Sequence, residues 1–198
     1  MYLENMKFQL KCATPLLYNR RSFMLDVLQD PSLKQGTKPK EEKLVYEQRI
    51  CNKKAYFDDQ GHLEIPASYF MAGFKESQKN TRSPIIPKGA KKGTLLNYLS
   101  AIKVDSIITP YTEKDLKPFA TIVCLSSGFK KTSMPCVRPQ LTWEGELNLF
   151  STSELITIEQ VKPMLEYVGI FLGIGDWTPR CGGRFGCFTV EKSESKIR

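Results

Sequence analysis

The chain has 198 residues, of which 41% are hydrophobic and 25% are charged. This composition is typical of a folded globular protein and excludes a disordered one, and the length predicts a single domain. No apolar run approaches the roughly 18 residues that a membrane-spanning helix needs, and the first residues contain no apolar secretory segment. We therefore expect a cytoplasmic protein that does not enter a membrane.

The charge balance predicts a polyanionic partner. Lysine and arginine number 29 against 21 aspartates and glutamates, which gives a net charge of +8. An excess of this size favours fast, salt-sensitive association with nucleic acid. The basic residues concentrate in segments 71–95 and 128–138, whereas segment 140–176 has an excess of acids. The alternative interpretation is a solvated lysine-rich surface without a specific partner.

The first half of the chain predicts strands, a loop and one helix. Residues 6–12 alternate apolar and polar side chains, which is typical of a half-buried strand. Segment 30–43 is rich in proline, glycine and lysine and predicts an exposed loop. Segments 55–57 and 62–65 flank a glycine turn and predict two short strands. Pro66 then fits the first turn of a helix with one aromatic face, and this helix ends in basic residues.

The second half ends in the clearest pattern. Segment 80–94 predicts a second basic loop, 95–104 a short helix before a strand at 107–108, and 120–125 a buried strand. Residues 138–150 alternate as a strand does. Thr157 and Gln160 fit a capping box for a helix over 158–172. Its buried face comprises Val161, Leu165, Val168 and Leu172. A glycine-rich loop, a strand over 185–190 and a frayed polar tail over 191–198 complete the chain.

This order of elements predicts an α+β fold with an antiparallel sheet and helices on one face. Our first choice is a ferredoxin-like β-α-β-β-α-β core over residues 1–190, with the loops 30–43 and 80–94 as insertions. The fold class alone does not identify a function, since this architecture serves many unrelated functions.

Motifs for catalysis and metal binding are missing from the sequence. The six cysteines are scattered without a C-x-x-C pair, and His62 is the single histidine. We therefore expect reduced thiols, no disulfide framework and no metal site. No phosphate-binding loop or hydrolase motif is present, so we expect no cofactor and no enzymatic activity.

The loop from Trp177 to Gly186 is the most specific candidate for a binding site. Glycines at 182, 183 and 186 let backbone amides approach an anion, and Arg180 and Arg184 suit bidentate phosphate contacts. Trp177, Phe185 and Phe188 offer faces on which bases stack. The alternative is a tight structural connection. With the basic segments, the predicted nucleic-acid site comprises Lys75, Lys79, Arg82, Lys130, Lys131, Arg138, Trp177, Arg180, Gly182, Gly183 and Arg184.

Three separated motifs carry a resemblance to a known superfamily. They are Ala13-Thr14-Pro15-Leu16-Leu17, Ile65-Pro66-Ala67-Ser68 and Gly183-Arg184-Phe185-Gly186. Together they resemble the RAMP superfamily, the RRM-like proteins of CRISPR effector complexes. Segment 173–180, followed by Gly-Arg-Phe, is more closely similar to a group of uncharacterised phage proteins, and Arg138-Pro139 with Trp143 also fits them.

The resemblance implies an RRM-like core that binds a nucleic-acid backbone without reading its sequence. It places the contacts on Lys75 and Lys79 after the Ile-Pro-Ala-Ser turn and on Gly182, Gly183 and Arg184 in the loop. His62 lies outside a nuclease motif of this superfamily. Backbone subunits also carry a long thumb hairpin, which segment 80–94 supplies only if it folds back on itself. Both departures argue against an RNA endonuclease and against a true crRNA-complex subunit.

We carry three hypotheses forward. The first is a non-catalytic phage protein that binds single-stranded DNA or RNA, in several copies along the strand. The second is a protein-interaction module or inhibitor that acts on a host defence complex and also uses the acidic segment 140–176. The third, and least favoured, is an RNA endonuclease that uses His62.

Overall fold

The computed structural model describes residues 4–20, 22–33, 42–80, 101–127, 130–152 and 156–197, with side chains omitted at 78–80, 121–127, 130–135 and 197. The fold is α+β with antiparallel sheets, as the sequence predicts. The chain forms two compact units. The first unit comprises Met1–Leu16, Glu64–Thr109 and Thr142–Arg198, and the second comprises Leu17–Leu63 and Pro110–Leu141. The single domain over 1–190 stays a prediction.

The helices and strands are, in chain order, β1 (Glu4–Cys12), β2 (Leu16–Leu17), α1 (Phe23–Gln29), α2 (Lys43–Lys54), β3 (Glu64–Ile65), α3 (Ala67–Asn80), β4 (Ile102–Val104), β5 (Ile107–Ile108), β6 (Lys117–Ser127), β7 (Lys130–Leu141), β8 (Glu144–Ser151), α4 (Ile158–Tyr167) and β9 (Phe188–Ile197). A π-helical turn, Val168–Leu172, continues α4. Short 3-10 turns lie at Pro31–Leu33, Glu113–Asp115 and Pro179–Cys181. None of these described helices is long and apolar enough to cross a bilayer.

The first unit has the ferredoxin-like topology. Its main sheet has the strand order β4-β8-β1-β9, and every neighbouring pair is antiparallel. Along the chain these strands and the two long helices follow the order β1, α3, β4, β8, α4, β9, which is the β-α-β-β-α-β pattern. This part of the prediction is confirmed.

Strand β1 is central because both of its edges are paired and one of its faces is apolar. Met6, Phe8 and Leu10 are buried, and the residues between them point to the opposite face, as the two-residue period of a strand requires. Strand β9 pairs with β1 from Phe188 to Ile197. The sequence predicts a frayed tail over 191–198, but residues 191–197 instead continue β9, because β1 offers them a complete hydrogen-bonding edge.

Helices α3 and α4 bury the apolar face of this sheet. The rings of Phe70 on α3 and Phe188 on β9 lie 6.0 Å apart. The predicted capping box is present, with the Thr157 backbone N–H donating to Gln160 Oε1 at 3.1 Å. The four residues of the predicted helix face, Val161, Leu165, Val168 and Leu172, are all buried.

The second unit is built on the long β6–β7 hairpin. Its sheet places β7 between β2 and β6, and α2 packs against β7. The core between them contains Phe23, Leu33, Tyr46, Ile50, Cys51 and Val137. Lys54 is buried at the end of α2, where its Nζ donates to the Val137 carbonyl at 2.9 Å.

Several boundaries differ from the predicted ones. Neither α1 nor α2 is predicted from the sequence. For α2 the reason is that the charged residues Glu47 and Lys54 are buried, so its buried face does not show a helical period of apolar residues. Lys43, assigned to a loop over 30–43, begins α2, and residues 34–41 lie outside the described residues. The predicted helix over 95–104 is wrong at 102–104, which form β4. Residues 81–94 of the second predicted loop also lie outside the described residues.

Two predicted strands are divided differently. The alternation over 138–150 is present, but β7 ends at Leu141 and β8 begins at Glu144. The strand predicted over 185–190 begins at Phe188. The predicted hairpin around Gly61 consists of one bridge between Phe57 and Leu63, and β3 pairs with β5 instead.

Candidate nucleic-acid interface

The glycine-rich loop between α4 and β9 folds back on itself. The Phe185 N–H donates to the Trp177 carbonyl at 3.1 Å, and the Ile174 N–H donates to the Gly186 carbonyl at 2.9 Å. The Gly186 N–H in turn donates to the carbonyl of Pro15, just after β1, at 2.9 Å. These bonds fix the backbone of the loop and tie it to the segment after β1, so the backbone that carries the exposed side chains is in place before any ligand arrives.

Two of the predicted ligand-binding glycines have a structural role. A Cβ atom at Gly183 would lie 1.9 Å from the Trp177 carbonyl oxygen, and one at Gly186 would lie 1.8 Å from the Ile174 carbonyl oxygen. Glycine is required there so that the two sides of the loop can meet. Gly182 differs, because its φ of +77° favours glycine while its Cβ direction opens into free space.

The two loop arginines flank Gly182 and are exposed. Within the part of the chain that the structure describes, neither guanidinium forms an ion pair. The Cζ atom of Arg184 lies 5.9 Å from the centroid of the Phe185 ring, so the guanidinium of Arg184 is within range of a cation–π contact with that ring. We call Arg180, Gly182 and Arg184 the arginine edge. It presents two bidentate donors around an open glycine.

The loop aromatics are less accessible than the sequence suggests. Phe185 and Phe188 are buried, with 8% and 1% of their surface exposed. Their predicted role as stacking faces for bases is therefore wrong, since both rings belong to the core. Trp177 is half-buried and adopts a φ of +51°, a left-handed conformation that is uncommon for a bulky residue. Its carbonyl position, which closes the loop, depends on that conformation.

The π-helical turn Val168–Leu172 connects the loop to α3. A Cβ on Gly173, which ends the turn, would lie 3.0 Å from Pro179 Cδ in the loop. A Cβ on Gly73 of α3 would lie 2.6 Å from Val168 Cγ1 at the start of the turn. Both elements therefore pack on the same turn. Lys75, two residues after Gly73, is exposed on α3.

The other predicted site residues belong to other elements or lie outside the described residues. Lys79 lies at the end of α3, and Lys130 and Lys131 begin β7, but their side chains lie outside the described residues, as does all of Arg82. Arg138 belongs to the second unit, where it is half-buried on β7 and its Nη1 contacts Cys136 Sγ. The structure brings together Trp177, Arg180, Gly182, Gly183 and Arg184.

The exposed face of the main sheet carries charges of both signs. Lys7 pairs across the strands with Glu194, and Lys11 pairs with Glu144. Lys7 Nζ donates to Glu146 Oε1 at 2.8 Å, and this hydrogen bond holds the pKa of Glu146 below its ordinary value. We call this surface the sheet face; it comprises Lys7, Gln9, Lys11, Glu144, Glu146, Asn148, Thr189, Lys192 and Glu194.

The histidine and the cysteines form no catalytic cluster in the described segments. The His62 backbone N–H donates to Asp58 Oδ1 at 2.8 Å and its Nδ1 lies 3.3 Å from Asp58 Oδ2, an arrangement that closes a turn. Burial raises the pKa of the Cys51 thiol to about 12, which keeps it protonated at neutral pH. Across the described ranges, no three His, Cys, Asp or Glu side chains lie together as metal ligands.

Comparisons with known proteins concern the fold. No family model and no curated protein matches the chain. Solved structures do match, including a chain of "Cryo-EM structure of the Type III-B Cmr-beta bound to cognate target RNA". The two chains are 11% identical with a TM-score of 0.57, and the match covers 99% of this chain and 61% of that chain. At this identity the likeness shows a shared fold, and this chain spans less than two thirds of the other.

Proposed function

We propose that the chain is a non-catalytic protein that binds single-stranded nucleic acid through phosphate contacts at the arginine edge. The observation that supports this most directly is the exposure of Arg180 and Arg184 on a fixed loop, without a carboxylate partner in the described residues. A guanidinium binds a phosphate bidentately, and Gly182 leaves room for the strand beside both groups.

Binding of this kind tolerates many sequences. Phosphate contacts position a strand but contain no information about its bases. Typical RRM modules instead stack bases on aromatic residues of the exposed sheet. On the sheet face of this chain, Lys7 and Lys11 stand opposite glutamates, and such a surface offers little to a continuous phosphate backbone. The register places one aromatic ring on this side of the sheet, that of Phe150, which is half-buried and lies 5.6 Å from Lys103 Nζ.

Two likenesses support the choice of nucleic acid. The sequence motifs resemble RAMP proteins, and the fold is shared with a chain of a Type III-B Cmr-beta assembly bound to cognate target RNA. From both we propose that this chain is distantly related to RAMP proteins. We further propose that it is a phage protein that acts in the host cytoplasm and that several copies bind along one strand.

The test is fluorescence-anisotropy binding to labelled single-stranded RNA, single-stranded DNA and duplex DNA, each at two salt concentrations. We expect Arg180→Ala/Arg184→Ala to weaken binding to one single-stranded form about ten- to hundredfold. The slope of log K against log salt should fall by about 1.4, since each phosphate contact on a single strand contributes about 0.7.

The matched control removes the same charge from a different surface. Lys11→Ala/Lys192→Ala replaces two exposed lysines of the sheet face. It should change the binding affinity less than threefold, because single exposed charges outside a binding site contribute little. Equal losses in both double variants would show that net charge binds the strand without a site. No binding by the unmodified chain would refute the proposed function.

A second candidate function rests on the second unit. Its helices expose five large apolar side chains, with exposed fractions between 53% and 77%: Met24, Leu25, Leu28, Leu44 and Val45. Exposed apolar side chains that form one patch are typical of a surface that contacts another protein. Co-purification with a host protein that survives nuclease treatment and high salt would favour this interaction module over the nucleic-acid-binding protein.

A further inference from the structure

The turn that ends α4 presents two large apolar residues to solvent. Ile170 and Phe171 are 57% and 59% exposed, whereas Val168 and Leu172 on the same turn are buried. Gly169 explains this orientation, because a Cβ there would lie 2.3 Å from the Phe188 carbonyl oxygen of β9. The turn is pressed against the sheet through Gly169, so the next two side chains face outward. π-Helical turns of this kind are frequent at functional sites.

A second ring supports Phe171. The ring centroids of Tyr167 and Phe171 lie 5.1 Å apart with 39° between their planes, within the range of favourable aromatic pairs. Tyr167 is half-buried and therefore limits the movement of its exposed neighbour. We call Tyr167 and Phe171 the aromatic platform. An aromatic side chain held in this way binds a flat ligand at little further cost in conformational entropy.

A contact between Gly173 and Pro179 connects the segment of the aromatic platform to that of the arginine edge. Gly173 contacts Pro179, with 3.0 Å from its Cβ position to Pro179 Cδ. Phe171 precedes Gly173 by two residues and Arg180 follows Pro179 directly. The dimensions of the backbone therefore keep the Cα atoms of Phe171 and Arg180 within about 18 Å of each other. One short stretch of single strand spans that distance.

We propose that Phe171, supported by Tyr167, stacks on a base of the strand whose phosphates contact Arg180 and Arg184. This inference rests on the proposed function and adds a second contact to it. Stacking accepts any base, because every base has a π face, so the site stays sequence-tolerant. The carboxylate nearest to the platform on α4 is that of Glu166, 4.0 Å from Lys162 Nζ, which reduces its repulsion of a strand.

The choice of a base over an apolar protein surface follows from the neighbours. The arginine edge offers two cationic residues, and the Cα atom of one of them, Arg180, lies within about 18 Å of the Cα atom of Phe171. A polyanion with flat side groups satisfies both features at once. A protein partner would use Ile170 as much as Phe171, since the two side chains are almost equally exposed. A base would use the ring of Phe171 and gain little from Ile170.

The experiment compares Phe171→Ala with Ile170→Ala as its matched control, in anisotropy binding to a labelled single-stranded oligonucleotide and to the same strand with abasic sites. We expect Phe171→Ala to weaken binding to the normal strand about tenfold and to leave the salt slope unchanged. Binding to the abasic strand should stay within twofold of that of the unmodified chain. Phe171→Trp, unlike Phe171→Ala, should bind the normal strand with about the affinity of the unmodified chain.

Each outcome separates the two proposals. If the unmodified chain binds and the arginine variant weakens that binding, but Phe171→Ala equals Ile170→Ala, the arginine edge stands and the stacking site is refuted. Equal losses on normal and abasic strands would also refute stacking, since an abasic strand offers no base. If neither strand binds the unmodified chain, the proposed function itself fails, and the stacking site fails with it.

Discussion

The sheet face and the arginine edge belong to the same unit and both contain basic residues, yet they differ in how those charges are arranged. On the sheet face, Lys7 and Lys11 stand opposite glutamates in the strand register. At the arginine edge, two exposed guanidiniums flank an open glycine, and no described carboxylate pairs with them. The location of unneutralised charge on a fixed loop, more than the net charge of +8, defines the candidate site.

The largest effect should come from changing the loop backbone that positions the arginine edge. We expect Gly183→Ala to destabilise the first unit by about 3 kcal/mol or more, because its Cβ would overlap the Trp177 carbonyl oxygen. Urea denaturation measures the change, and oligonucleotide binding should fall with it. This variant leaves every residue of the sheet face unchanged but displaces the loop backbone that positions Arg180 and Arg184.

Gly182→Ala is the matched control for that loop variant. Its φ of +77° makes alanine unfavourable, but its Cβ would meet no atom within 4 Å. The cost should stay near 1 kcal/mol, the price of a left-handed alanine. Similar destabilisation in both variants would contradict the close packing that we assign to Gly183.

An intermediate effect should appear in the reactivity of Cys181. This thiol is exposed between Arg180 and Gly182, whereas Cys51 and Cys136 are buried. We expect iodoacetamide to modify Cys181 before the other cysteines whose side chains are described, and a saturating single-stranded oligonucleotide to slow the reaction several-fold by covering the arginine edge. Mass spectrometry of the modified peptide gives the rate. An unchanged rate at saturation would place the bound strand elsewhere on the chain.

The smallest effect concerns the sheet face and its pH dependence. The hydrogen bond from Lys7 lowers the pKa of Glu146 in the folded chain. A lowered folded pKa gives stability that is present above the unfolded value, near 4.3, and is lost as pH falls through the folded value. Glu146→Gln should therefore cost less than about 1 kcal/mol at pH 7, since the pair is partly exposed.

Denaturation at pH 7 and near pH 3 checks this prediction, with Glu144→Gln on the same strand as the control. The difference between the unmodified chain and Glu146→Gln should shrink at the lower pH, as the Glu146 carboxylate takes up protons and the two side chains become more alike in charge. Oligonucleotide affinity should not change. A stability difference that grows as pH falls would contradict the assignment of the Lys7–Glu146 pair.

Local patterns in the sequence predict the frame of the first unit. The alternation around Phe8 gives β1, and Thr157 with Gln160 gives the start of α4, because both signals depend on near neighbours along the chain. Helix α2 is missed because its buried Lys54 is satisfied by the Val137 carbonyl on a distant strand. A periodicity rule that counts apolar residues does not recognise a buried lysine.

The candidate site is predicted as a segment but not in its atomic roles. The sequence places glycines and arginines in one loop, yet whether a glycine admits a ligand or another backbone depends on tertiary contacts such as the Trp177 carbonyl beside Gly183. The exposure of Phe171 is weakly indicated by the sequence, since this residue lies off the predicted buried face of its helix. The helical pattern predicts which residues are buried, but not which exposed residues bind a ligand.

Strand β1 lies early in the chain, and the strands that pair with it lie late. Lys7 and Glu146, which form an ion pair across β1 and β8, are 139 positions apart, and β9 follows later still. During synthesis both edges of β1 thus remain without partners until most of the chain has left the ribosome. Unpaired strand edges promote association between chains, and long-range pairing folds slowly. Folding of the first unit is therefore completed only after β9 has left the ribosome, and a ribosome that stops before Phe188 leaves β1 open along one edge.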